Sequence, residues 1–95
     1  MRVRQEQIVY LKELAESFLP GASVFLFGSR ASDELKGGDV DLLILGERQL
    51  TSKEKREIRI AFFKKFGERK VDIVSYRHDE TSTFKEIAMI DAVQI

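Results

Sequence analysis

Three short apolar segments, separated by stretches with helical spacing, constrain the fold of this 95-residue chain most strongly. Residues 22–27, 39–45 and 70–75 are rich in β-branched, aliphatic and aromatic side chains, which is typical of strands. Apolar residues recur at helical spacing before the first segment, after the second and after the third. Strands that alternate with helices predict a single sheet covered by helices. We therefore expect an α+β fold, an α/β sandwich with a small mixed sheet of three to four strands.

Capping and stop signals mark the predicted helices. The first helix carries its apolar positions between Ile8 and Phe18 and ends at Pro20-Gly21. "TSKE" at 51–54 fits a capping box with Thr51 as the N-cap, and Gly67 predicts the end of the helix that it opens.

Two further elements are predicted from weaker patterns. Residues 31–36 favour a short helix that Gly37-Gly38 would break. "TFKE" at 83–86 fits a second capping box, and the helix that follows would pack through Phe84, Ile87 and Ala88. Residues 91–95 could extend this helix, and we favour a short edge strand instead.

Composition bounds what kind of protein this is. Residues 1–95 are predicted to form one domain, with 43% apolar and 34% charged residues. Because 16 basic residues balance 16 acidic ones, no strong binding to nucleic acid is expected. The absence of cysteine excludes disulfides and thiolate metal sites. Charges throughout the first 18 residues argue against a signal peptide, and no apolar run could span a bilayer, so we expect a cytoplasmic protein.

Three aspartates lie within otherwise apolar strand segments. Asp39 and Asp41 share one face of their strand because side chains at i and i+2 point the same way, while Val40 and Leu42 point toward a core. Asp72 occupies the middle of the third strand segment. If these two strands are neighbours, the three carboxylates converge on one surface.

Converging carboxylates repel one another unless a cation lies among them. Ligands that are all oxygen favour Mg²⁺ or Mn²⁺, and a pair of such ions about 4 Å apart is the usual device for displacement at phosphorus. The alternative is that these aspartates are simply solvated at strand ends or cap a neighbouring turn.

A glycine and a serine follow the first strand directly. Gly28 would let the backbone approach a ligand closely, and Ser29 with the following amides could hold phosphate oxygens. Arg30 could add a positive charge. An ordinary turn is the alternative, but nine residues separate Ser29 from Asp39, which suits a phosphate-binding turn beside a metal site.

The combined pattern resembles the nucleotidyltransferase superfamily that includes DNA polymerase β. The resemblance covers residues 25–74. The glycine-serine turn of the family matches "FGSR", and its acid-apolar-acid triplet matches "DVDLLI", which begins after a gap of nine residues from the serine. The third acid of the family matches the aspartate of "VDIV". In so short a chain the pattern looks most like the minimal nucleotidyltransferases, which are often encoded beside a HEPN-domain toxin. Gly38 stands where family members often have serine.

The resemblance implies an activity and a role for each matched residue. Gly28 and Ser29 would bind the nucleotide's β- and γ-phosphates, with Arg30 beside them. Asp39 and Asp41 would ligate two Mg²⁺ ions, and Asp72 would ligate the catalytic ion and help deprotonate the acceptor. The reaction would transfer AMP from ATP to a hydroxyl, with pyrophosphate leaving.

For the minimal family the acceptor is a tyrosine of the partner toxin, so the chain would act as an antitoxin. Two alternatives remain open. One is a binding module without activity that neutralises its partner by contact, and the other is a transferase that modifies small molecules such as antibiotics. Met89, Ile90, Val93 and Ile95 add apolar surface for a partner interface, and completion of the core or an oligomer explains them equally well.

Overall fold

A computed structural model describes residues 3–27, 40–67 and 70–95 of the chain. The elements within these ranges confirm the predicted α+β class. The short helix predicted over 31–36 lies outside the described residues. In chain order the described elements are α1 (Gln5–Phe18), β1 (Ser23–Leu26), β2 (Val40–Gly46), α2 (Ser52–Phe66), β3 (Val71–Arg77), α3 (Thr83–Ile90) and β4 (Val93–Gln94).

The four described strands form one mixed sheet in the order β3-β2-β1-β4. β1 is antiparallel to both of its neighbours, β2 and β4. β2 and β3 are parallel, and α2 connects them, since parallel neighbours need a crossover. The edge strand predicted at the end of the chain is β4, which pairs with β1 through two residues.

Helices cover both faces of this sheet, because β2 is apolar on both sides. Its even-numbered residues from Val40 to Ile44 are fully buried against α1 and α2, and Leu43 is fully buried on the opposite face near α3. The larger core, on the α1 and α2 side, consists of Leu11, Ala15, Leu19, Ala22, Val24, Val40, Leu42, Ile44, Leu50, Ile58, Phe62, Val71 and Ile73. The smaller core, on the α3 side, consists of Leu43, Leu45 and Ala88.

The cap predicted for α2 is present. The Thr51 hydroxyl accepts a hydrogen bond from the Glu54 amide (3.1 Å), and the Glu54 carboxylate accepts one from the Thr51 amide (2.9 Å). The helix ends at Gly67, whose φ of 98° is a left-handed value that favours glycine. The amide of Gly67 bonds the Phe63 carbonyl (2.8 Å) and closes the last turn.

Two details of α3 differ from the prediction. Its N-cap is Ser82 and not Thr83, since the Ser82 hydroxyl accepts the hydrogen bond from the Lys85 amide. Of the predicted packing face only Ala88 is buried, whereas Phe84 and Ile87 are exposed. The reason is geometric, because α3 touches the sheet through the side that bears Ala88 and Met89. Helical spacing alone gives several apolar positions and does not say which side meets the sheet.

Candidate active site

Two of the three predicted acids are brought together by strand register. Asp41 of β2 and Asp72 of β3 are direct partners across the parallel pair. Partners in register lie on the same face of a sheet, on strands about 4.8 Å apart. Both side chains are partly exposed on the α3 side, because the residues that flank them in each strand point into the larger core: Val40 and Leu42 in β2, Val71 and Ile73 in β3. Asp39, the third predicted acid, lies outside the described residues.

The polypeptide that precedes the glycine-serine pair ends at the same row of the sheet. The Phe27 amide donates a hydrogen bond to the Asp41 carbonyl oxygen (3.1 Å), which extends the pairing of β1 with β2 by one residue. Phe27, Asp41 and Asp72 therefore form one row across three strands. Gly28, Ser29 and Arg30 follow Phe27 in the chain and lie outside the described residues, so their proposed phosphate contacts stay predictions.

A basic side chain of the described residues lies beside Asp72. Lys70, the residue before β3, places its Nζ 3.9 Å from an Asp72 carboxylate oxygen. Both side chains are about half exposed or more, at 66% for Lys70 and 49% for Asp72, so water screens this ion pair. A screened ion pair of this kind contributes little to the stability of the fold, and the Asp72 oxygens remain accessible to a ligand cation.

The donor set suits a hard divalent cation. Asp41 and Asp72 offer carboxylate oxygens alone, on one face, from strands whose buried neighbours fix the backbone. Such oxygens are the ligands that Mg²⁺ and Mn²⁺ prefer. Within the described ranges no three His, Cys, Asp or Glu side chains cluster to hold a metal. Asp39, the predicted third ligand, lies outside these ranges.

An aromatic pair that the sequence patterns did not indicate adjoins this row. The ring of Phe27 meets the ring of Phe84 edge-on, with centroids 5.9 Å apart. Phe84 begins a stripe of exposed apolar residues that continues along α3 into β4. The alternation of Phe25 and Phe27 with Leu26 in the sequence is the pattern that could have indicated that Phe25 and Phe27 share one face of the sheet. We name the exposed apolar residues of α3 and β4 the α3 stripe: Phe84, Ile87, Ile90 and Val93.

A cleft of about 420 Å³ lies at the opposite end of β2, lined by Phe18, Leu19, Pro20, Glu47 and Arg48. Asp41 is separated from Gly46, the last residue of β2, by roughly 16 Å of strand. The cleft is therefore remote from the carboxylates. His78 is exposed just beyond β3, and its amide donates a hydrogen bond to the Gly46 carbonyl (2.9 Å).

The model of the nucleotidyltransferase domain family matches residues 8–95. The chain therefore belongs to this family, which confirms the resemblance seen in the sequence. A search of curated protein sequences finds no significant match. Within the described ranges, no helix is both long and apolar enough to cross a membrane.

Solved structures with the same fold include toxin–antitoxin complexes. A crystal structure of the toxin–antitoxin MntA-HepT matches with 16% identity and a TM-score of 0.63, over 96% of this chain and 70% of that one. A mutant of this toxin–antitoxin matches with 19% identity and a TM-score of 0.70, over 99% and 72%. A tri-AMPylated HEPN toxin of Shewanella oneidensis in complex with its MNT antitoxin matches with 17% identity and a TM-score of 0.57, over 93% and 70%. At these identities the likeness is one of fold.

Proposed function

We propose that this chain is a nucleotidyltransferase that transfers AMP from ATP to a tyrosine hydroxyl of a HEPN-type toxin and so acts as an antitoxin. The observation that carries the proposal is the register of Asp41 with Asp72 on one face of the sheet, in a chain of the nucleotidyltransferase family. The AMPylated HEPN toxin in complex with an MNT antitoxin of the same fold supports this choice of acceptor.

Each proposed residue has a distinct task. Asp39, Asp41 and Asp72 would hold two Mg²⁺ ions, for which Mn²⁺ can substitute, and these ions would neutralise the triphosphate. Gly28, Ser29 and Arg30 would hold the β- and γ-phosphates. The hydrogen bond from Phe27, the residue before the glycine-serine pair, to Asp41 of β2 supports this proposed role.

The proposed transfer breaks one bond and forms one bond. The tyrosine oxygen attacks the α-phosphorus of ATP, and its proton passes to the carboxylate of Asp72. The bond from the α-phosphorus to the oxygen that bridges it to the β-phosphate breaks, so pyrophosphate leaves. Positioning and charge neutralisation supply most of the rate in reactions of this kind.

The α3 stripe is the surface that we assign to the toxin. It lies on the same side of the sheet as Asp41 and Asp72, and it begins at Phe84 against Phe27. Exposed apolar residues that follow one another along a surface are typical of protein contacts. A toxin seated there would reach the carboxylate row with its tyrosine.

The direct test is to incubate the purified chain with its partner toxin, Mg²⁺ and ATP, and to measure the mass of the toxin. We expect the toxin to gain one or more AMP groups on tyrosine. Asp72→Asn should lower the transfer rate at least about 100-fold, while it keeps binding to the toxin. Asp79→Asn is the matched control, because Asp79 is an exposed aspartate beyond the end of β3.

Intact binding to the toxin without any AMP transfer, under varied metals and nucleotides, would contradict the enzymatic proposal and favour the contact-only alternative. Transfer to a small molecule but not to the toxin would contradict the choice of acceptor. Substitution of Ile87 and Ile90 by serine tests the α3 stripe separately, since it should weaken toxin binding and leave ATP binding unchanged.

A further inference from the structure

The exposed sides of α1 and α2 carry opposite charges around apolar centres. On α1 the exposed outward side carries three acidic residues and one basic residue around Val9, and we name it the acidic ridge: Glu6, Val9, Lys12, Glu13 and Glu16. On α2 the exposed outward side carries three basic residues and one acidic residue around two apolar ones, and we name it the basic ridge: Lys53, Arg56, Glu57, Ile60, Phe63 and Lys64. Each member lies three or four residues from another member of its set, so each set lines one side of a helix.

The apolar centres of these ridges are unusually accessible. Val9 is 44% exposed, Ile60 is 45% exposed and Phe63 is 57% exposed. Three such side chains on one helical layer, bordered by charges, are typical of an interaction surface. Among the described residues, no ion pair involves Glu13, Glu16 or Arg56. Their charges are therefore available to another molecule.

The two ridges lie side by side and run in opposite directions. The Arg48 guanidinium bonds both the Phe18 carbonyl at the end of α1 (3.1 Å) and the Glu54 carboxylate in the first turn of α2 (2.9 Å). At the other end, the rings of Tyr10 and Phe66 meet with centroids 5.7 Å apart. Glu16 on α1 is therefore level with the first turns of α2, where Arg56 lies.

We propose that this face binds a second copy of the chain and forms a two-fold symmetric dimer. A two-fold axis parallel to the helices, above the groove between them, lays α1 of each copy on α2 of the other. Because such an axis preserves the level along the helices, Glu16 of one copy faces Arg56 of the other. Val9 meets the apolar centre of the opposite basic ridge, and each contact occurs twice, as symmetry requires.

The size of the face sets the expected strength. Helices of 14 and 15 residues are roughly 21 and 22 Å long, so the two-helix face covers on the order of 400 Å² in projection, about half of what each partner buries in a standard interface. We expect a dissociation constant in the micromolar range. Since acidic and basic ridges supply the complementarity, added salt should weaken the dimer.

The test is a charge exchange, measured by sedimentation equilibrium of the full chain. Wild type should dimerise in low salt, and Glu16→Lys or Arg56→Glu alone should weaken the dimer at least about tenfold, because each variant places like charges together twice. An equal mixture of the two variants should dimerise about as well as wild type. In the mixed pair, the substituted position 16 of one copy faces the substituted position 56 of the other, so their charges are again opposite. At the second contact, the native Arg56 of the first copy faces the native Glu16 of the second.

Glu86→Lys is the matched control, because it makes the same reversal at an exposed position of α3 beyond the sheet, and it should leave the dimer unchanged. Circular dichroism confirms that each variant is folded. Three results would overturn the proposal: wild type that stays monomeric in low salt, single reversals that dimerise like wild type, and a mixture that stays monomeric. None of these measurements involves nucleotide or toxin, so they test the dimer independently of the proposed enzymatic activity.

Discussion

Asp41 and Asp72 occupy directly opposed positions on two hydrogen-bonded parallel strands. Like charges at such positions destabilise a sheet, and an apolar pair would pack better there. Lys70 offsets the repulsion only weakly, because its contact with Asp72 is long and open to water. The position of the two carboxylates side by side at the surface supports the proposal that they hold a ligand cation.

The first prediction separates a ligand role from a structural one for Asp72. Asp72→Asn should change the free energy of unfolding of the free protein by less than about 0.5 kcal/mol, since it removes repulsion along with a weak ion pair. Mg²⁺ with ATP at 100 times the dissociation constant should stabilise wild type by about 2.7 kcal/mol, and this gain should disappear in the variant. Thermal unfolding with and without Mg²⁺-ATP measures both quantities.

Asp79→Asn again serves as the control, and it should keep the stabilisation by Mg²⁺-ATP. A free Asp72→Asn protein that unfolds several kcal/mol more easily than wild type would show that the carboxylate is structural. A variant that still responds fully to Mg²⁺-ATP would show that Asp72 holds no metal-bound nucleotide.

Gly46 supports a second prediction at the residue scale, for a steric reason. A Cβ atom added there would lie 2.6 Å from Cγ of Leu19 and closer still to its Cδ2, and Leu19 is only 3% exposed. Gly46→Ala should therefore cost about 1–3 kcal/mol of unfolding free energy, measured by denaturant titration. In a Leu19→Ala background the further cost of Gly46→Ala should fall below about 0.5 kcal/mol. Equal costs in both backgrounds would mean that the backbone at Gly46, and not Leu19, is the obstacle.

At the scale of the element, the start of α2 combines a cap with an ion pair. Hydrogen bonds from the Arg48 guanidinium, and then from the Thr51 amide, lower the pKa of Glu54 from its ordinary 4.5 to about 2. The Arg48 pKa is raised by the same partner. Since Arg48 also bonds the Phe18 carbonyl, this pair joins the start of α2 to the end of α1.

The pH dependence of stability follows from the direction of this pKa shift. Because the folded state lowers the pKa of Glu54, its contribution is complete above pH 4.5 and is lost as the pH falls toward 2. Glu54→Gln should destabilise the protein near neutral pH by at most about 1 kcal/mol, since Arg48 is half exposed. The difference from wild type should shrink below pH 4.5. Chemical denaturation at several pH values measures it.

Glu57→Gln provides the comparison for that experiment, because Glu57 is exposed on the same helix and makes no ion pair with any described residue. Its difference from wild type should be small and should not follow the same pH profile. A difference for Glu54→Gln that stays constant from neutral pH down to pH 2 would contradict the assigned cause of the pKa shift.

The elements that could be predicted from sequence are those specified locally. Hydrogen bonds within one turn fix the α2 cap at Thr51, and a positive φ at Gly67 ends that helix, so both followed from residue type. The segments around Val24, Ile44 and Ile73 became strands because their apolar runs suit a sheet buried on both faces. The sequence predicted a shared surface for Asp41 and Asp72 only if their strands were neighbours, and the sheet order and register come from the structure.

Features that depend on distant contacts were not predictable in this way. The side of α3 that meets the sheet depends on Leu43 and Leu45, which come from β2, so the exposure of Phe84 and Ile87 was missed. Gln7 is buried, with its side chain accepting a hydrogen bond from the Arg4 amide (3.0 Å), and the helical pattern gave no sign of this burial. Periodicity locates an apolar face but does not identify its partner.

At the scale of the whole molecule, the two faces of the sheet have different proposed tasks. The larger core lies under α1 and α2, whose outer sides carry the acidic and basic ridges. The carboxylate row and the α3 stripe lie on the opposite face. A dimer formed through the ridges would therefore leave both carboxylate rows facing outward, each open to a nucleotide and a toxin.

This arrangement predicts that dimerisation and nucleotide binding are independent. Glu16→Lys should abolish most of the dimer and leave the stabilisation by Mg²⁺-ATP within about 0.3 kcal/mol of the wild-type value, because the sheet and its buried core separate the two faces. Thermal unfolding with and without Mg²⁺-ATP, at protein concentrations above and below the dissociation constant, measures the coupling. The converse variant, Asp72→Asn, should dimerise like wild type in sedimentation equilibrium. If either substitution changed both properties, the two faces would be energetically coupled, and the dimer contact would have to include the carboxylate side of the sheet.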